Sequence, residues 1–220
     1  MTTSDVSRHE TDPRVRDRHA TDRRLVGCGV LGAVLFTVVA AAQIGTRDGF
    51  DLARHPISLL SNGDLGWIQI ANFVVTGLLF VAFAVGLRRR GEGTWAPRLI
   101  GAFGVGLVMG GVFVADPALG YPVGAPEGLP AETSWHGLLH NVAPVIAFNA
   151  LIIACFVVAR RSWASDRRWS WWSIGSGVVL LAMLAVPTAD GVSIRMALGM
   201  LIAFAWTTTY AFRAAVEARG

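Results

Sequence analysis

The stretch Gly66–Arg90, GWIQIANFVVTGLLFVAFAVGLRRR, decides the fold class. From Trp67 to Leu87 it carries no charge, and it then closes on three consecutive arginines. A bilayer hydrocarbon core of about 30 Å is crossed by about 20 helical residues, with a range of about 17 to 25. The run is therefore long enough to span. Arginines mark the cytoplasmic end of a span, so one stretch supplies both a membrane crossing and its orientation.

Working outward, the same pattern recurs. Apolar runs fall at about 25–44, 67–87, 99–115, 138–159, 173–187 and 196–212. The 220 residues are 53% hydrophobic and only 15% charged, against about a quarter charged in soluble domains, and the mean hydropathy is +0.51. All 19 basic residues are arginine. Sixteen of them lie in the tail, in the loops after the second and fourth runs and at the C-terminus, leaving Arg47, Arg54 and Arg195 for the other side. The expectation is an all-α polytopic membrane bundle of six transmembrane helices in the plasma membrane, with both termini cytoplasmic. Residues 1–24, polar and without apolar periodicity, are expected to form a disordered tail; residues 25–213 form the transmembrane domain and 214–220 a short second tail.

Several apparent signals dissolve in this context. The net charge of +4 does not indicate nucleic acid, because the arginines sit in short loops between spans and interleave with Trp163, Trp169, Trp171 and Trp172 as an interfacial aromatic belt. Gly27–Gly32, GCGVLG, matches a dinucleotide fingerprint, but that motif needs a strand before it and a helix N-terminus for the pyrophosphate. Cys28 and Cys155 lie in apolar runs and read as small hydrophobes. The glycines of the third run, Gly101, Gly104, Gly106, Gly110 and Gly111, let helices approach closely, which makes that run the most tightly packed.

The polar residues of the outer face are where function would reside. In Ser134–Asn141, SWHGLLHN, His136 and His140 are four residues apart and would share one helix face. Asp116 closes the third run at similar depth, and His55 lies in the first outer loop. Together His136, His140, Asp116 and His55 offer the nitrogen and oxygen donors of a zinc site with room for a water. His136 and His140 also read as two structural histidines bonding loop backbone or as a proton-handling pair, and Asp116-Pro117 as a common way to end a helix. Pro144 bears on this, since it cannot donate to the His140 carbonyl. Arg195, Asp190 and Ser58 are candidate ligand-binding residues, Arg195 having the planar fork that suits a lipid phosphate.

His55–Arg89, HPISLLSNGDLGWIQIANFVVTGLLFVAFAVGLRR, Gly111–Pro122, GVFVADPALGYP, Ser134–Asn141, SWHGLLHN, and Arg195–Arg213, RMALGMLIAFAWTTTYAFR, resemble the domain of unknown function 998 family of polytopic membrane proteins. The resemblance covers about residues 25–213 and implies a six-helix integral membrane protein, with no catalytic residues to carry over. The leading functional expectation is a membrane protein whose outer polar residues bind a lipid head group or a partner. Two alternatives stand beside it. One is a metal-dependent membrane hydrolase using the His/Asp cluster and zinc. The other is a small-solute transporter, weakened by the absence of mid-span charge and of an internal repeat.

Overall fold

The computed structural model describes residues 13–185 and 191–216, with side chains from residue 17 onward. Six helices follow one another: α1 Pro13–Thr46, α2 Gly66–Arg89, α3 Trp95–Val112, α4 Trp135–Ser162, α5 Arg167–Ala185 and α6 Val192–Val216. A single 3₁₀ turn, Ile57–Ser61, lies between α1 and α2, and there is no strand among the described residues. Five helices, all but α5, are long and apolar enough to cross a membrane. The first half of α5 is Arg, Trp and Ser, which dilutes its hydropathy although it occupies the place expected for a fifth span.

The start of α1 differs from expectation. Residues 13–24, placed in a disordered tail by their polarity, are helical, with Pro13 in the first turn where a missing amide proton costs nothing. Asp22, further along this polar stretch, lies 3.7 Å from Arg89 at the end of α2.

Each helix packs against its neighbour in sequence, and α6 returns to α1, closing a ring. Lipid tails are as apolar as leucine, so packing rather than water exclusion holds such a ring together. The tightest seam is between α2 and α3. A Cβ built on Gly77 would lie 2.5 Å from the Gly104 carbonyl, and one on Gly104 would lie 2.6 Å from the Gly77 carbonyl. Gly106 packs in the same way on Ala143 and Ala147 of α4, so the small-residue surface of α3 is used inside the chain. Phenylalanines fill the interior at mid-height: Phe36 against Phe73 at 5.2 Å, Phe80 against Phe103 at 4.9 Å, and Phe80 stacked on Phe204 at 5.8 Å.

Polar groups buried in lipid need partners, and the seam between α1 and α2 supplies some of them. Gln43 Nε2 donates to Gln69 Oε1 at 2.8 Å, and Asn72 Nδ2 donates to the Phe36 carbonyl at 3.2 Å. Asn149 Nδ2 instead donates back to the Val145 carbonyl of its own helix at 2.8 Å.

The two ends of the ring differ. At one, here called the loop end, the segments 47–65 and 113–134 fold over the helices around a small core of Leu59, Leu60 and Tyr121. The other is the arginine end. There α2 stops on Gly91, whose φ of +76° suits glycine, and the turn is closed by Gly91 N–H donating to the Arg88 carbonyl and Glu92 N–H to the Leu87 carbonyl. This is a Schellman cap, and it fixes where Glu92 stands.

Candidate functional site

The SWHGLLHN stretch forms the start of α4. Ser134 is the N-cap, its Oγ accepting from the Gly137 amide at 3.0 Å, and Ser134 in turn donates its amide at 2.9 Å and its hydroxyl to the Asp116 carboxylate. Asp116 thus sits over a helix N-terminus, where aligned peptide dipoles favour negative charge. The Ser134 hydroxyl bond, ahead of the Ser134 amide and the nearby histidines, holds the Asp116 carboxyl below the usual carboxylate range against the opposing effect of partial burial.

The helix runs from Trp135 straight through Pro144, so His136 and His140 do share a face. That face is turned onto the end of α3. A carbonyl can only accept, so the His136 Nδ1–H donates to the Val114 carbonyl at 3.1 Å and the His140 Nδ1–H to the Phe113 carbonyl at 2.7 Å. His136 Nδ1 is also 3.9 Å from Asp116.

His55 stands apart from these three. It is 2% exposed; its Nδ1 accepts from the Asp51 amide at 2.9 Å and its Nε2–H donates to the Leu119 carbonyl at 3.0 Å, while Phe50 and Tyr121 flank the ring. Both nitrogens are spent on backbone. Among the described residues no three His, Cys, Asp or Glu side chains group to hold a metal ion. The expected four-residue zinc set is therefore distributed as a capping cluster, His136, His140 and Asp116, and a separate loop anchor, His55.

Below this cap the ring is hollow. Ser58, Pro56, Ile57, His140 and Pro144 line the upper part of a cavity of about 70 Å³ whose remaining wall is Phe36, Phe73, Gly106, Leu107, Gly110, Ala143, Ala147, Phe148 and residues of α6. Apart from Ser58 and His140 the lining is apolar. Ser58 and His140 thus line one cavity, which the sequence did not reveal. A second apolar cleft between α1 and α6 shares Phe36, Ile57, Ala197 and Met200 with the cavity. Arg195 lies on a third cleft, with Phe148, Leu180, Met183, Leu184, Val192, Met196 and Gly199. Asp190, the other charged candidate, lies outside the described residues. Ser193 ties α6 to the loop end by donating to the Arg54 carbonyl at 3.0 Å.

At the arginine end the structure assembles a cluster that sequence reading missed. Arg161 of α4 pairs with Glu92 at 2.9 Å, Arg213 of α6 pairs with Asp166 at 2.9 Å, and the Tyr210 hydroxyl donates to Glu92 at 3.3 Å. Asp166 also caps α5 through the Trp169 amide, which with the Arg213 charge lowers its pKa. In sequence these arginines serve only to orient spans. The available signal was two carboxylates set among arginines, Glu92 and Asp166.

A family model described as "Protein of unknown function (DUF998)" matches residues 30–213, which takes in parts or all of every helix. No curated protein and no solved structure matches the chain.

Proposed function

The chain belongs to the DUF998 family, and from that premise we propose that it is a six-span membrane protein that binds an amphiphile in the cavity at its loop end. The observation that carries this reading is the cavity itself. It joins a long apolar wall to two polar groups, Ser58 and His140, at the loop end, the mostly apolar lining with a few polar groups that ligand pockets show. An acyl chain or similar apolar body fits the wall. A head group that accepts or donates one or two hydrogen bonds fits the polar end.

Pro144 supports the same reading. It has no amide proton, so the His140 carbonyl loses its intrahelical donor on a helix whose wall faces the cavity. A hydroxyl or amide of a bound head group is the kind of donor that such a carbonyl accepts. The positive-inside rule assigns the arginine end to the cytoplasm and the cavity to the outer leaflet of the plasma membrane, with α5 as the fifth span and both termini inside.

The test is retention of a fluorescent fatty-acyl lipid by purified protein in lipid nanodiscs. Wild type should bind saturably. Ala197→Trp, which places a large ring where the cavity meets the α1–α6 cleft, should weaken binding at least tenfold without altering elution or melting. Equal affinity in the two proteins would overturn the proposal.

A further inference from the structure

The arginine end holds a cleft of its own, of about 140 Å³, lined by Glu92, Arg161, Ser162, Asp166, Tyr210 and Arg213 among others. We propose that this cleft binds a zwitterionic group in which an amine and a phosphate lie a few bonds apart, as in phosphoethanolamine. It is independent of the cavity at the loop end.

The argument rests on the charges around the cleft. Two guanidinium groups and two carboxylates line it as two pairs, Arg161 with Glu92 and Arg213 with Asp166, each at 2.9 Å. A lone anion entering here must compete with a carboxylate for each arginine, and a lone cation with a guanidinium for each carboxylate. A molecule carrying both signs exchanges ion pairs one for one. Guanidinium binds phosphate through parallel N–H bonds, and an ammonium with three donors suits a carboxylate. A quaternary ammonium has no N–H and is a poorer match.

The groups are also held in place. Arg161 donates its second nitrogen to the Gly91 carbonyl at 3.0 Å, and Arg213 lies 5.1 Å over the Trp169 ring. Glu92 is set by the Gly91 turn and Asp166 by its capping role. Val158 and Trp169 add an apolar side to the lining, so a head group can enter with its chains along the bundle.

The experiment measures binding to full-length protein in detergent by intrinsic tryptophan fluorescence, with four additions: phosphatidylethanolamine, phosphatidylglycerol and phosphatidylcholine micelles, and soluble phosphoethanolamine. Phosphatidylethanolamine should bind at least tenfold more tightly than the other two lipids. Binding of the soluble compound at similar strength identifies a free solute as the ligand, and its failure identifies a lipid; both outcomes with phosphatidylethanolamine preferred support the site. Glu92→Gln should abolish the preference. Ser165→Trp, at an exposed position on the lining, fills the mouth while leaving both ion pairs intact, and should weaken binding tenfold even if Glu92→Gln does not fold. Equal binding of phosphatidylglycerol, or no effect of Ser165→Trp, would overturn the proposal.

Discussion

Asp116 keeps its place over α4 because residue 137 has no side chain. A Cβ there would lie 2.2 Å from the carboxylate, well inside contact distance, and helical backbone cannot move to relieve it. Gly137→Ala should therefore expel Asp116 and cost about 1 to 3 kcal/mol, the range for overpacking a closed site, read as a fall in unfolding free energy in detergent. The same carboxylate makes a prediction with pH. Its folded pKa lies below the ordinary value of 3.8, so between the two values the unfolded chain binds more protons. The stabilisation is complete above the ordinary carboxylate range and is lost as pH falls through the lowered value. Asp116→Asn should flatten the acid limb of a stability-against-pH curve; an unchanged limb would mean that the cap contributes nothing. Sequence did locate Asp116, His136 and His140 at one depth. It left open whether they form a ligand set or a cap, because which carbonyl each imidazole meets is a property of the neighbouring helix end.

At the scale of elements, the glycines of α3 separate into those that touch backbone and those that do not. Gly104 meets the Gly77 carbonyl, whereas a Cβ on Gly101 would find only Ala84 at 3.6 Å, an ordinary contact. Gly104→Ala should destabilise the protein by about 3 kcal/mol, in the upper part of the overpacking range, and Gly101→Ala should fall within about 0.5 kcal/mol of wild type, as for sites away from such contacts. Comparable losses in both would remove the α2–α3 seam as the special contact. The apolar runs at 138–159 and 173–187 began later than α4 at Trp135 and α5 at Arg167, because Ser134, Asp166 and, after α2, Gly91 set these ends as polar or glycine caps outside the apolar pattern. The start of α1 was not legible either. Its first turns are polar, and polarity alone could not distinguish a helix leaving the bundle from a tail.

For the whole molecule, the arrangement of charge predicts topology. With the arginine end in the cytoplasm, a cysteine replacing Glu127, which is exposed in the 113–134 loop, should react with an impermeant thiol reagent in intact cells, and one replacing Glu92 should not. The background protein would lack Cys28 and Cys155. Labelling at position 92 alone would invert the bundle and move the apolar cavity to the inner leaflet. The all-helical, multi-span character of the chain followed from the sequence by itself, because a run of about 20 uncharged residues has one low-energy form in lipid. Which helices touch did not follow, since all six apolar faces look alike to a lipid-facing pattern. Only the tertiary structure decided that α6 closes on α1, that Ser58 and His140 line one cavity, and that Glu92, Arg161, Asp166 and Arg213 meet around one cleft. Those contacts join residues far apart in the chain, Phe36 of α1 to Phe204 of α6 among them, and no local spacing encodes them.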